Sequence, residues 1–367
     1  MALHTSTLLL AVPAQLVTAL AAFGQSLPTT APASLRLPEM PLHDPWILAH
    51  APTKTYHLYT TNVPRLTGES RAGTMAYTST DLLNWTKPKV VFTVPEGTWA
   101  DPSSRPWAPE VHEYKGRYYL FTTLHNNNTV FLAPPEVWHP ITARSTVIAA
   151  SDSPEGPFTV LSNAGPWTPK EFMTLDGTLY VDRAGKPWMV YAHEWVQKLD
   201  GTMEAIPLTD DLTAAAGEPI HLFSASEAPW LRTSKRKPTT RPSVYVTDGC
   251  EFFRTKDGHL LMLWSSYDPG VKAPGGRDDS YVQTVARSKS GELEGPWEQL
   301  EPLVHQDSGH GMLFRTFDGQ LMMVLHRPFK NARGKLYEME DAGDHLRVVR
   351  QRTDLDGGDP PATRPVR

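Results

Sequence analysis

The sequence predicts an all-β protein that folds as a single domain, a five-bladed β-propeller. The first observation is the composition: 34 prolines and 25 glycines among 367 residues leave little room for long helices. The second is a recurring design, in which a turn glycine precedes an alternating apolar strand and then small polar residues. The third is the spacing of the copies, which matches the size of a propeller blade.

The recurring design appears clearly four times, with glycines spaced by 69, 73 and 61 residues. The copies are YKGRYYLFTT (114–123), RAGKPWMVYAHEW (183–195), KDGHLLMLWSSY (256–267) and FDGQLMMVLHRP (317–328). A less regular copy, TKTYHLYTTN (53–62), has Lys54-Thr55 in place of the glycine turn. Because an apolar strand precedes each copy, each pair is predicted to form a hairpin.

A second element combines a short strand, a turn rich in serine and aspartate, and an aromatic residue. It occurs as MAYTSTDLLNW (75–85), IAASDSPEGPF (148–158) and VARSKSGELEGPW (285–297). With the hairpins, it predicts three to four strands in each of five repeats. A β-sandwich would not show so long a period.

The chain is predicted to have three parts. Residues 1–33 hold an apolar run followed by small residues, which is typical of a signal peptide, with a disordered N-terminus as the alternative. Residues 34–350 are predicted to form the catalytic propeller, and residues 351–367 a flexible tail. The signal peptide predicts a secreted or periplasmic protein.

The charge and cysteine content limit the partners. Lys and Arg number 35 against 40 Asp and Glu, a net charge of −5, so we expect neither a nucleic-acid partner nor a membrane partner. The single cysteine, Cys250, excludes an intrachain disulfide and a zinc site built from several cysteines. We expect a monomer.

Acidic residues precede the predicted hairpins of four repeats. They are Asp44, Glu110, Asp176 and, in the fourth repeat, Asp248 and Glu251. The fifth repeat has His310 between two glycines instead. The innermost strand of each propeller blade starts near one mouth of the central channel, so these side chains are predicted to converge on a shared funnel there.

The motifs around these positions resemble those of glycoside hydrolase family 43, over about residues 40–345. They are HDPWI, WAPEVHEYKGRYYLFTT, LDGTLYVDRAGKPWMVYAHE, DGCEFFRTKDGHLLMLWSS and GHGMLFRTFDGQLMMVLH. The resemblance implies a five-bladed propeller that hydrolyses oligosaccharides containing arabinose, xylose or galactose, with inversion at the anomeric carbon. The alternative is a propeller that binds glycans without cleaving them.

The resemblance also implies roles for three carboxyl groups. It assigns the general base to Asp44 and the modulator of the acid's pKa to Asp176. The family commonly has Glu-Gly-Pro at the acid position, where this chain reads DGCE (248–251). If the glycines of the two motifs are aligned, Asp248 takes the acid position. If the acid has to be a glutamate, Glu251 takes it instead. On a regular strand these two side chains would face opposite sides.

Other residues are candidates for binding the sugar. Aromatic rings can pack against the C–H faces of sugars, and polar groups can bond to their hydroxyls. The predicted substrate contacts are Trp46, Trp107, Glu110, Trp195, His310 and Arg315. A structural hydrogen-bond acceptor is the alternative for Glu110. No cofactor is expected to be required, although the resemblance allows a structural cation, calcium, near the channel centre beside His310.

Overall fold

The computed structural model describes residues 34–163, 165–232, 244–269, 271, 273 and 280–359. The predicted signal peptide lies outside these residues. The described residues form five four-stranded sheets, and in each sheet neighbouring strands are antiparallel and follow one another along the chain. The all-β, five-bladed propeller predicted from the repeats is therefore confirmed.

Each blade consists of four consecutive strands. Blade 1 contains β1 (Trp46–His50), β2 (Thr55–Thr61), β3 (Gly73–Ser79) and β4 (Lys89–Thr93). Blade 2 contains β5 (Trp107–Tyr114), β6 (Arg117–Leu132), β7 (Ile141–Ser151) and β8 (Thr159–Val160). Blade 3 contains β9 (Thr174–Val181), β10 (Pro187–His193), β11 (Thr202–Pro207) and β12 (Ile220–Ser224). Blade 4 contains β13 (Asp248–Arg254), β14 (Leu260–Asp268), β15 (Ser280–Ser288) and β16 (Trp297–Gln299). Blade 5 contains β17 (Gly309–Arg315), β18 (Leu321–Arg327), β19 (Arg333–Asp341) and β20 (Leu346–Gln351).

Helices are short throughout the described part of the chain. The four α-helices are α1 (Pro64–Thr67), α2 (Trp195–Lys198), α3 (Pro229–Arg232) and α4 (Thr353–Asp356). Three 3-10 helices cover Leu37–Glu39, Ala51–Thr53 and Ala225–Glu227. None of the helices within the described ranges has the length and apolar character that crossing a bilayer requires.

The repeated glycines form the turns between the first and second strands of blades 2 to 5. Gly116, Gly185, Gly258 and Gly319 have φ between +78° and +90°, a backbone conformation that glycine adopts without steric cost. In blade 1, Lys54 takes the same place in the turn with φ +51°. The glycine spacing in the sequence therefore marks one equivalent turn in successive blades.

The aromatic residues of the second element lie in the packing between strands. Trp85, Phe158 and Trp297 are all buried in the hydrophobic core. The ring is closed by contacts between blade 5 and the segment that leads into blade 1, where Leu42 N–H donates to the carbonyl oxygen of Ala332 at 3.1 Å. Burial of these large apolar side chains contributes to the stability of the propeller.

Residues 351–359, predicted as part of a flexible tail, are instead packed against blade 5. Gln351 ends β20, and helix α4 follows one residue later. The buried carboxylate of Asp356 accepts the Leu336 N–H at 3.0 Å, and Asp359 pairs with Arg327. The composition of this segment is typical of a coil. However, Asp356 and Asp359 each bind a buried donor on blade 5, and these contacts hold the segment against the blade.

Replacing Asp356 with Ala is expected to lower the free energy of unfolding by about 1–3 kcal/mol, because the Leu336 N–H is left buried without its acceptor. Urea unfolding measures the change. The matched control is Asp354→Ala in the same helix, where the exposed carboxylate pairs with Arg352 and should contribute little. Equal unfolding midpoints for both variants would contradict the packing of this segment.

The innermost strand of each blade has one residue in the left-handed region at or just before its start. These residues are Asp44, Ala108, Asp176, Gly249 and His310, with φ between +44° and +55°. In blades 2 to 5 the strand register slips at the same place, as in a β-bulge. Bulges re-aim side chains, and here the slip brings equivalent positions of different blades together at one end of the ring.

Candidate active site

Three aspartates and one histidine, contributed by four blades, meet where the innermost strands begin. The Nδ1 atom of His310 lies 3.2 Å from Asp44 Oδ1. The same nitrogen lies 3.7 Å from Asp176 Oδ2 and 3.7 Å from Asp248 Oδ1. Four residues that are separated by up to 266 positions in the sequence therefore form one cluster.

One side of this cluster opens to solvent. The side chains of Asp176 and His310 are 4% and 9% exposed, whereas those of Asp44 and Asp248 are 15% and 22% exposed. His43, next to Asp44, is 43% exposed. A ligand that enters from solvent would therefore meet Asp44 and Asp248 before it meets Asp176.

Asp44 is surrounded by histidines. Its Oδ1 lies 2.8 Å from His43 Nδ1, and its backbone N–H donates to His326 Nδ1 at 3.2 Å. Burial alone would raise the pKa of the Asp44 carboxyl, but the nearby His310 and His43 outweigh it and hold that pKa well below its usual value. Asp44 is therefore ionised at neutral pH, which is the state that a general base requires.

Asp176 and Asp248 form a coupled pair. Burial, and next the negative charge of Asp248, raise the pKa of Asp176 well above its usual value. Burial opposes ionisation of Asp248, but hydrogen bonds from Asp176 and His310 lower its pKa to about 2. The two carboxyl groups therefore titrate as a pair that shares a proton, and the directions of the two shifts favour Asp176 over Asp248 as its carrier.

His310 supplies the positive charge of the cluster. Burial would lower its pKa, but the negative charge of Asp44, followed by the charge that the coupled pair Asp176 and Asp248 carries, raises that pKa well above the usual value. Its backbone N–H donates to Ser265 Oγ at 2.8 Å. The imidazole is therefore protonated at neutral pH and partly neutralises the surrounding acids.

A calcium ion beside His310 stays a prediction, in which water molecules would supply part of the coordination. One atom each from Asp176, Asp248 and His310 lies within 4.8 Å of the others. Calcium takes roughly six to eight oxygen ligands at about 2.3–2.6 Å, whereas this set offers an imidazole and two carboxyl groups. His43, Asp44 and His326 form a similar group, but they already hydrogen-bond one another.

Glu251 borders the cluster, because it lines one small cavity together with Asp44 and His310. Its Oε2 accepts the backbone N–H of Leu313 at 2.7 Å, and burial raises the pKa of its carboxyl well above the usual value. The register slips between Asp248 and Glu251, so the opposite orientation expected for a regular strand does not describe them. Of these two residues, the geometry favours Asp248 as the acid because it contacts His310.

Glu110 and Glu251 line, together with Asp44 and His310, a cavity of about 10 Å³, enough for about one water molecule. Glu110 is buried, and its Oε2 lies 3.0 Å from His112 Nε2. Burial raises the pKa of the Glu110 carboxyl. This placement favours the structural acceptor over the predicted sugar contact.

The three predicted tryptophan platforms have different surroundings. Trp46 is buried, and its indole N–H donates to the Val111 carbonyl oxygen at 2.9 Å, a placement that favours packing within the blades. Trp107 is only partly buried, and the guanidinium of Arg144 lies 4.8 Å from its ring centre. Its other neighbour is the ring of His125 at 4.6 Å, so Trp107 remains a candidate sugar platform.

Trp195 and Arg315 lie at the ends of their elements. Trp195 starts helix α2, and its ring centre lies 5.7 Å from that of Trp138, which is exposed. Arg315 is exposed at the far end of β17, roughly 17 Å along the strand from His310. Its guanidinium donates to Gly319 O in the hairpin turn, so the structure contradicts the predicted sugar contact.

Sequence reasoning missed several side chains of the site. His43 has a visible signal, because it directly precedes Asp44 in the first motif. His326 is the next-to-last residue of β18, and Tyr281, on the third strand of blade 4, donates its O–H to Asp248 Oδ2 at 2.7 Å. His326 is the last residue of the fifth motif, whereas Tyr281 lies outside the motifs, so only the folded sheet brings Tyr281 to the acids.

The whole propeller matches a known family. Residues 39–351 match the model of glycosyl hydrolases family 43. The structure of an endo-arabinase from Bacteroides thetaiotaomicron VPI-5482 is 35% identical in sequence, with a TM-score of 0.70, over 84% of this chain and 97% of that chain.

Two curated proteins are also similar. An extracellular endo-α-(1→5)-L-arabinanase of Bacillus subtilis (strain 168) is 28% identical over 52% of this chain, which spans about half of that protein's length (55%). An extracellular exo-α-(1→5)-L-arabinofuranosidase of Cellvibrio japonicus (strain Ueda107) is 25% identical over 78% of this chain and 79% of that protein. The family match over nearly the whole described propeller and the 35% identical structure agree, and the chain belongs to glycosyl hydrolase family 43.

Proposed function

We propose that the protein is an exported, inverting glycosidase that hydrolyses arabinose-containing oligosaccharides. The observation that carries this proposal is the cluster in which Asp44 and Asp248 flank His310 at the solvent-facing side. The choice of arabinose rests on similarity, because the two curated relatives are named for α-(1→5)-linked L-arabinose. Both are also named as extracellular, which supports export.

The separation of the two carboxylates is compatible with inversion. Inverting glycosidases hold their acid and base roughly 6.5–9.5 Å apart, which leaves room for a water molecule, whereas retaining enzymes hold them roughly 5–5.5 Å apart. One oxygen each of Asp44 and Asp248 lies within 3.7 Å of the same nitrogen, so these oxygens are less than twice that distance apart. This limit includes both the retaining spacing and the lower end of the inverting range, so the proposal of inversion rests on the resemblance to family 43.

In the proposed reaction Asp44 takes a proton from a water molecule whose oxygen attacks the anomeric carbon. The bond from that carbon to the leaving oxygen breaks, and its electron pair stays on the leaving oxygen, which takes a proton from Asp248. Before this transfer the shared proton has to pass from Asp176 to Asp248, and the two side chains are hydrogen-bonded. The products are an inverted sugar and an alcohol, with Asp44 protonated and Asp248 ionised.

The second candidate function is glycan binding without cleavage. It is favoured by one observation, the aspartate at position 248 where the family commonly has glutamate. An aspartate carboxyl lies closer to its own backbone, so it could fall short of the leaving oxygen. A protein of this kind would bind arabino-oligosaccharides but release no reducing sugar.

Activity on nitrophenyl glycosides and on arabino- and xylo-oligosaccharides separates the two functions. We expect hydrolysis of the arabinose substrates, also in the presence of a chelator, because the proposed steps use only side chains of the chain. NMR of the first products should show the anomer opposite to that of the substrate. Binding without any hydrolysis would support the second candidate, and a first product of retained configuration would contradict inversion.

A further inference from the structure

Asp248 has a shorter side chain than the glutamate that the family commonly has as its acid. Neighbouring side chains therefore have to hold the Asp248 carboxyl in position. Aspartate has one methylene fewer than glutamate, so its carboxyl lies roughly 1.5 Å nearer to the backbone. Misplacing a catalytic group by about 1 Å can cost on the order of 100-fold in rate. A short acid is therefore effective only if its neighbours hold the carboxyl in one orientation.

Tyr281 provides such a contact. It lies in β15 of the same blade as Asp248, and its O–H donates to Asp248 Oδ2 at 2.7 Å. The tyrosine side chain is fully buried. A hydrogen bond of this kind to an ionised acceptor is among the stronger ones in proteins, and it restricts rotation of the carboxylate.

The ring of Tyr281 is itself held on several sides. It stacks on His326 with a centroid distance of 5.5 Å and an angle of 13°, and the edge of Phe329 lies 5.2 Å away. Gly309 touches it from blade 5, where an added Cβ would lie only 2.3 Å from the ring carbon Cε1. The glycine is therefore needed for the ring to occupy this position.

The bond also distinguishes the two oxygens of Asp248. Oδ2 is occupied as the acceptor of the tyrosine O–H. The other oxygen, Oδ1, faces His310 Nδ1 at 3.7 Å. When Asp248 carries the transferable proton, that proton therefore lies on Oδ1, at the centre of the cluster.

We propose that Tyr281 is a positioning residue that orients Asp248 for proton donation to the leaving oxygen. This inference rests on the proposed glycosidase function. Tyr281 acts through Asp248 and does not itself touch the reacting atoms. Loss of its hydroxyl should therefore lower kcat most for substrates whose leaving group needs a proton from Asp248. It should lower kcat least for substrates with a good leaving group.

The variant Tyr281→Phe tests this, because it removes the hydroxyl and keeps the ring. For an arabino-oligosaccharide, whose leaving group is poor, we expect kcat to fall by about 10- to 100-fold with little change in KM. For a dinitrophenyl arabinoside, whose leaving group departs without acid help, we expect a loss of less than about 3-fold. Thermal unfolding verifies that the variant folds.

The matched control is Tyr59→Phe. Tyr59 is equally buried, and its O–H donates to Pro154 O at 2.6 Å in a place remote from the acids. It should show the same small change on both substrates. A Tyr281→Phe variant that behaves like this control, or that loses activity equally on both substrates, would overturn the proposal.

A double-mutant cycle tests whether Tyr281 acts on catalysis through Asp248. In an Asp248→Asn background, Tyr281→Phe should cause no further loss on the oligosaccharide, because the group that it orients is gone. A full additional loss would show that Tyr281 acts elsewhere and would overturn the proposal. Failure of the proposed function has a different signature, since the unmodified protein would then cleave none of the substrates.

Discussion

Replacing Asp44 with Asn is expected to lower kcat on an arabino-oligosaccharide by at least about 100-fold while the propeller stays folded. The amide has the same shape as the carboxylate but cannot take a proton from water. Its carbonyl oxygen can still accept a hydrogen bond from His43, and the backbone N–H can still donate to His326. The local structure should therefore persist while the base is lost.

Steady-state kinetics and thermal unfolding of this variant measure the two effects separately. The matched control is Asp182→Asn, at the opposite end of β9 from Asp176, where the carboxylate accepts the Trp188 indole N–H. This control should retain activity close to that of the unmodified protein. Unchanged turnover of Asp44→Asn would remove Asp44 from the mechanism.

The acid should be identified by comparing Asp248→Asn with Glu251→Gln. We expect Asp248→Asn to lose on the order of 10²–10⁴ in kcat on the oligosaccharide and far less on a dinitrophenyl arabinoside. The reason is that only the poor leaving group needs a proton as the glycosidic bond breaks. The ratio of the two losses therefore measures acid catalysis more directly than either loss alone.

Glu251→Gln should leave that ratio unchanged. Burial raises the pKa of the Glu251 carboxyl well above its usual value, so at neutral pH the variant replaces one neutral group with another. The amide oxygen can still accept the Leu313 N–H. A selective loss on the oligosaccharide in Glu251→Gln, with none in Asp248→Asn, would reverse the assignment.

The sequence predicted the blades well because their signals are local. A turn glycine followed by an alternating strand depends only on neighbouring residues, and equivalent turns at Gly116, Gly185, Gly258 and Gly319 mark successive blades. The motif positions before the hairpins likewise predicted which residues converge. Asp44, Asp176, Asp248 and His310 do meet.

Sequence reasoning was weaker where the outcome depends on backbone detail or on distant strands. The orientations of Asp248 and Glu251 depend on a register slip at Gly249. A prediction from the two-residue alternation of a regular strand does not include such a slip. Arg315 is adjacent to the His310 motif in sequence, yet an extended strand carries it far away. Tyr281 reaches the acid only through the hydrogen-bonded order of the sheet.

The most direct test of the central claim is a crystal structure of the Asp44→Asn variant with an uncleaved arabino-oligosaccharide. We expect the glycosidic oxygen to lie within hydrogen-bond distance of Asp248, with the introduced amide facing the anomeric carbon from the other side across a water molecule. A sugar bound elsewhere on the propeller, or a glycosidic bond that neither side chain approaches, would contradict the account.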